Sequence, residues 1–329
     1  MAAGRTALVE LDFGTAAIPA PLMAVALPPQ TLALKLQVGA RTLVQIDRRL
    51  VRIPYSLEDA LVVVRASLPR LPDDADGYLL TSLPDAHPAE AGEPGFDDHR
   101  LLTAVRQRYV RYHVDLTAGE AKWLAGMSAN ARSGITRKTR KVAAANGGTL
   151  DIRAYRTPGE LAVFHRLARA ISATTYQERL LDAGLPDDLA DLLPFAATDR
   201  LRAWLMFVRD VPIAYLCCTG DGGSLRYAFV GHDPAQTDLS PGVVLLAEAL
   251  RQLFAERRFV RFDFTEGEGQ HKRQFATGGI ACIDVLLLRP TIANRVTVSA
   301  LNVFERGLTI AKRAVTHPAI KRFTRTITR

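Results

Sequence analysis

The chain has 329 residues, 48% of them hydrophobic and 23% charged, with a formal net charge of +8. Such values exclude a disordered chain and allow about two domains with ordinary cores. The charge is local: from Arg289 to Arg329, nine Lys/Arg face one acid, Glu305, so the rest of the chain balances and the surplus marks a cationic C-terminal segment.

In chain order, residues 7–13, 31–38 and 41–53 are rich in β-branched and apolar side chains and predict strands. Ser56 N-caps a predicted helix over 57–68, with Glu58 and Asp59 in its first turn. Asp76-Gly77 leads into a strand at 78–83. Residues 84–98 hold three prolines and two glycines and read as a loop. A strand at 109–116 follows, and Thr117 with Glu120 forms a capping-box pattern that opens a helix toward Met127. Residues 128–146 predict a separate helix with Arg132, Arg137, Lys138, Arg140 and Lys141 and no acid, closed by Asn146-Gly147-Gly148.

The second half begins with a strand at 150–156. Helices follow from Pro158 to about Ser172 and over about 187–195. Strands at 202–209, 213–219 and 224–231 are separated by short polar or glycine turns, which is a hairpin signal. Ser240-Pro241-Gly242 opens an amphipathic helix over 243–256. A strand at 259–264, a polar loop at 266–269, a short helix at 270–276 and a strand at 281–289 complete the order β-α-α-β-β-β-α-β-α-β.

Cys217, Cys218 and Cys282 sit in apolar runs and read as small buried hydrophobes. Neighbouring strand positions point to opposite faces, and no Cys/His spacing suits zinc, so no metal and a reducing cytoplasm are expected. The first residues meet a charge before any apolar run, and no run approaches the ~20 residues of a spanning helix. Neither a secretory leader nor a membrane span is expected.

Three stretches carry a family resemblance. They are the basic segment 130–141, Leu239-Ser-Pro-Gly242 before a helix, and Phe262-Asp-Phe-Thr-Glu-Gly-Glu-Gly-Gln-His-Lys272. In this order, over roughly residues 110–290, the chain resembles the CelD-type acetyltransferases of bacterial polysaccharide synthesis, which belong to the GNAT superfamily and are related to the Fem peptidyltransferases. His271 stands where that family usually has Tyr. The resemblance implies an α/β (α+β) chain with tandem GNAT-like mixed sheets flanked by helices and a basic C-terminal helix. Its units would be a partial GNAT-like domain at 1–127, a linking helix at 128–149, the acyltransferase domain at 150–290 and the tail at 291–329.

The implied activity is N- or O-acyl transfer from acetyl-CoA or another acyl-CoA to a sugar or a polysaccharide-pathway intermediate. A helix N-terminus offers free N–H groups and a positive dipole end, so Ser240, Pro241, Gly242, Val243 and Val244 are the candidate pyrophosphate site. By resemblance, backbone groups of Tyr227, Ala228, Phe229 and Val230 hold the pantetheine arm, with an oxyanion donor near Ala228 or Phe229. Asp263, Glu266 and His271 are candidate proton acceptors and Lys272 a balancing charge, with Glu268 placed toward the acceptor. Tyr176, Gln177 and Arg179, in the loop after the first helix of the implied domain, are acceptor candidates. Arg137 and Lys138 are candidates for phosphate contacts. A solvated acidic loop and a solvated basic face are the bland readings of these clusters.

Two other functions compete: a Fem-like transferase that takes an aminoacyl group from tRNA, and a non-catalytic basic binding module. The expected partner is a small-molecule or sugar acceptor; for the tail two readings stand, a C-terminal helix packed on the body and a peripheral contact with anionic lipid at the inner membrane face. Nucleic acid is not expected. For the tail, a helical stripe through Val296, Leu301, Phe304, Leu308, Ala311 and Val315 predicts a helix that ends near Thr316.

Overall fold

A computed structural model of the chain describes residues 26–38, 41–62, 68–85, 101–175, 184–267 and 269–316. The strand expected at 7–13 lies outside them. The first half forms β1 (Gln30–Val38), β2 (Arg41–Pro54), α1 (Leu57–Val62), β3 (Gly77–Pro84) and β4 (Leu102–Asp115). Helices α2 (Glu120–Gly126) and α3 (Ala129–Ala145) follow. The second half forms β5 (Asp151–Tyr155), α4 (Pro158–Ser172), α5 (Leu193–Ala197), β6 (Leu201–Val208), β7 (Val211–Asp221) and β8 (Ser224–His232). It continues with α6 (Pro241–Glu256), β9 (Arg261–Asp263), α7 (Gln270–Phe275), β10 (Gly278–Leu288) and α8 (Ile292–Thr316).

Local chemistry accounts for the helix starts. The Ser128 hydroxyl accepts from the Ala131 N–H at 3.1 Å and caps α3. Thr157 and Glu160 form a capping box at the start of α4, with Pro158 in its first turn. Strand β6 is buried on both faces because helices cover both. Tyr155, Leu161, Phe164, Leu205 and Cys217 pack on the α4 side. Trp204, Met206, Leu216, Cys218, Leu245 and Leu250 pack on the α6 side, joined there by Ile135 and Val142 of α3. Alternating strand residues thus feed two separate cores.

All ten strands lie in one mixed sheet, in the order β1-β2-β3-β10-β4-β9-β8-β7-β6-β5. The fold is therefore α+β with helices on both faces. The halves interdigitate: β10 pairs with both β3 and β4, and β4 lies between β9 and β10. The last strand of the expected 150–290 unit thus completes the first half. Strand β4 also starts well before the expected residue 109, because its register with β10 runs on to Leu102.

The C-terminal helix is tied to the body. Arg48 on β2 donates to Asn294 Oδ1 at 2.9 Å and to Thr297 Oγ1 at 2.6 Å. Leu301 packs among Leu34, Leu36, Leu50 and Leu286. The expected stripe is misphased at its start: Val296 is 64% exposed, while Asn294 and Thr297 are buried. Their polarity hid the buried face from a reading by apolar spacing.

Candidate active site

The sheet opens between β8 and β9. The two strands pair in parallel only from Ser224↔Arg261 to Arg226↔Asp263, after which β8 runs on to His232 paired with β7 alone. Helix α6 begins just beyond, and its first turn faces the gap. A cleft of about 430 Å³ lies there. It gathers Tyr227 and Val230 from β8, Ser240, Pro241, Gly242 and Val243 from the helix start, and His271 and Lys272 from α7. His232, Thr237 and Leu246 complete much of the lining and were not singled out in the sequence. A larger cavity of about 650 Å³ lies at the far end of α6, among Thr117, Glu120, Arg257 and Arg258, away from this cluster.

The helix start is uncommitted. Ser240 adopts a left-handed conformation, φ 53° and ψ 48°, and its side chain caps nothing. The Val243 N–H is used by the Ser240 carbonyl at 3.2 Å, and Pro241 has no N–H, which leaves that of Gly242. Val244 belongs elsewhere: its side chain is buried in the core beneath α6, and its N–H is directed to the Ser240 carbonyl at 3.5 Å.

A one-residue bulge in β8 sets the backbone directions. Phe229 pairs with Cys217 and Tyr227 with Cys218, so Ala228 is the extra residue. The Asp233 N–H donates to Ile213 O at 2.9 Å. Alternation back along the strand turns the N–H groups of Gly231 and Phe229 toward β7, and those of Val230 and His232 toward the opened gap. The Ala228 N–H meets the Cys218 side chain. Neither Ala228 nor Phe229, where the oxyanion donor is expected, turns its N–H toward the gap; the groups that do are those of Val230 and His232.

Tyr227 contributes more than backbone. Its ring lies 5.9 Å from Phe262, 5.8 Å from Phe264 and 6.3 Å from His271, centroid to centroid. Burial, with smaller effects from Cys218 and Tyr215, pushes its hydroxyl pKa up, so it stays protonated. The sequence offers no signal for this, since a tyrosine in a strand reads as core.

Partial burial and then the Lys272 charge hold the His271 imidazole below its ordinary pKa of 6.5. It is neutral at neutral pH and able to accept a proton. Lys272 donates from Nζ to the Glu266 carbonyl at 2.5 Å. Burial lowers its pKa, against the opposing pull of Glu266 and Asp263. Glu266 is exposed and lines no part of the cleft.

Asp263 is removed from the candidate bases. It is 1% exposed, and Arg111 of β4 donates to both its oxygens, from Nε at 3.1 Å and from Nη2 at 2.6 Å. Its Oδ1 also accepts from the Thr265 N–H at 2.8 Å. A carboxylate so buried and paired with a guanidinium holds structure. Glu268, Tyr176, Gln177 and Arg179 lie outside the described residues. Arg137 is exposed, Lys138 half-buried, and neither lines the cleft. Their neighbour Lys141 comes nearer, donating to Asp238 O at 2.8 Å, two residues before Ser240. Among the described residues, no His/Cys/Asp/Glu group could hold a metal ion.

Residues 129–273 match the family model of an acetyltransferase (GNAT) domain. The chain carries a GNAT-type acyltransferase domain. The matched span runs from the basic helix α3 to α7 and contains the whole lining of the cleft. No curated protein matches the sequence. Among solved structures, L-PGS from Bacillus licheniformis is similar at 12% identity and TM-score 0.45, covering 84% of this chain and 84% of that one. FemX is similar at 10% identity and TM-score 0.43, over 78% of this chain and 88% of that one. A GCN5-related N-acetyltransferase from Kribbella flavida is similar at 15% identity and TM-score 0.36, over 67% and 70%. Likeness at this level identifies no substrate.

Proposed function

We propose that the GNAT domain uses acyl-CoA, acetyl-CoA or a homologue, to acylate an amine or hydroxyl of a sugar or related polysaccharide-pathway intermediate. The observation that carries the donor assignment is the cleft itself. A free Gly242 N–H, an unused Ser240 hydroxyl and the positive end of a sixteen-residue helix meet there with His271 and Lys272. Such a helix start suits a pyrophosphate. The sugar acceptor rests on the CelD-like stretches.

Bound acyl-CoA would supply the thioester that the acceptor attacks. His271, neutral at neutral pH, takes the proton from the attacking amine or hydroxyl. The Val230 N–H donates to the carbonyl oxygen as charge gathers on it. Tyr227, still protonated, donates a hydrogen bond to the departing sulfur, and the proton that His271 has taken from the acceptor passes to that sulfur, which leaves as the thiol. Lys272 adds positive charge near the same atoms.

The test is calorimetry of acyl-CoA binding to the wild-type chain and to Gly242→Val. A Cβ built on Gly242 meets nothing within 4 Å, so the substitution leaves the fold intact while filling the approach to the helix start. Wild-type binding that the variant loses is the expected result. Equal affinities would remove the donor assignment. Binding of aminoacyl-tRNA in place of acyl-CoA would establish the Fem-like alternative.

A further inference from the structure

We propose that the outward face of α8 docks on an anionic lipid bilayer. This surface is separate from the cleft, and its test does not read catalysis. The three most exposed large apolar side chains among the described residues are Ile292 at 83%, Val303 at 69% and Val296 at 64%. All three sit on α8. At 3.6 residues per turn they project within about 40° of one another, so they form one row. Exposed apolar residues scattered singly need no explanation, whereas an aligned row marks a contact surface.

The row is a second apolar face. The first is already spent, since Leu301 and half-buried Val298 and Phe304 pack on the sheet and Arg48 anchors Asn294 and Thr297. Nothing in the fold requires Ile292, Val296 and Val303 to be apolar.

Charge identifies the partner. Arg295 and Arg306 are exposed, make no ion pair among the described residues and flank the row on one side. The sequence takes the same seven-residue step from Val303 to Ile310 and from Arg306 to Arg313. Glu305 is the single acid from Arg289 onward. An apolar row edged by arginine matches the boundary of a bilayer, where methyl groups enter below the headgroups and guanidinium groups meet anionic phosphates. Charge alone would also suit RNA, but a phosphodiester surface gives the valines nothing to bury against. No helix among the described residues is long and apolar enough to cross a membrane.

The experiment is co-sedimentation of the full chain with vesicles of phosphatidylglycerol and phosphatidylcholine, and with phosphatidylcholine alone. The chain is expected to pellet with the anionic vesicles only. Val296→Gln/Val303→Gln should weaken that partition about tenfold with an unchanged melting temperature, because both side chains already face water. Arg295→Gln/Arg306→Gln should weaken it and flatten its dependence on salt. Four outcomes would overturn the proposal. The first is no pelleting of the wild-type chain, and the second is full pelleting of the valine variant. The third is a concentration-dependent dimer that the valine variant abolishes, which would assign the row to a second copy. The fourth is poly(U) binding without vesicle binding, which would assign the charge to RNA.

Discussion

Asp263 and His271 lie eight positions apart, one at the end of β9 and the other in the first turn of α7, and they face opposite fates. Asp263 is buried, and both its oxygens are occupied by Arg111 and Thr265. His271 is exposed at the cleft edge, with its basicity lowered and a protonated Tyr227 ring beside it. A group buried against a guanidinium and a backbone N–H holds its surroundings in place. A group with capacity to spare can act on something that arrives. The sequence presents both as polar residues after a strand, and only the count of partners separates them.

The strongest way to break this contrast is Asp263→Asn. It leaves the Arg111 guanidinium buried without its counter-charge, and the expected loss of stability is about 3–5 kcal/mol, read by denaturant unfolding. Asp263→Leu with Arg111→Met should recover much of that loss, since the pair would then be replaced by apolar packing. A single Asp263→Asn chain that melts like wild type would show the pair to be idle.

His271→Ala should do the reverse: about a hundredfold lower kcat/KM in acyl transfer at an unchanged melting temperature. The pH profile sharpens the point. A base must be unprotonated, and His271 loses its proton below its ordinary 6.5. The rate should therefore climb through an apparent pKa below 6.5, level off at neutral pH, and lose that limb in the alanine variant.

A smaller effect separates Lys272 from Glu266. Lys272→Ala should lower turnover by about tenfold as one charge near the reacting atoms is removed. Glu266→Gln should change it less, because the hydrogen bond to Lys272 comes from the Glu266 carbonyl, which the substitution keeps. Equal losses would place the Glu266 carboxylate in the chemistry after all. The smallest expected change is in Arg137→Ala/Lys138→Ala. Acyl-CoA affinity measured by calorimetry should fall by about threefold at low salt and by less at high salt, as for exposed charges near a phosphate.

Much of the second half was legible because its punctuation is local. Asp210-Val-Pro212 and Gly220–Gly223 mark hairpins, and Ser240-Pro241-Gly242 marks a helix start, so the β7 and β8 meander and α6 could be read in place. What remained hidden was non-local. Pairing of β4 with β9 and β10 joins residues more than a hundred positions apart and leaves no trace in either strand's periodicity. Arg111 was passed over for the same reason: an arginine in an alternating strand reads as solvent-facing until Asp263 is brought against it. The bulge at Ala228 decides which N–H groups of β8 face the gap, and a bulge is set by the partner strand rather than by the bulged sequence. The phase of α8 was misread because its buried face begins with Asn294 and Thr297, whose polarity is satisfied by a distant Arg48.

The exchange of strands between the halves has a consequence for synthesis. While β3 and β4 leave the ribosome, the strand that will lie between them, β10, has not been made. The nascent first half must wait for Leu288 with two apolar edges unpaired, whereas the hairpins from β6 to β8 can close as they emerge. A chain built this way exposes its longest unsatisfied edges early and completes them last. Stalling translation before Gly278 should therefore leave a species whose first half is protease-sensitive and captured by chaperones, and release of the remaining residues should end both together.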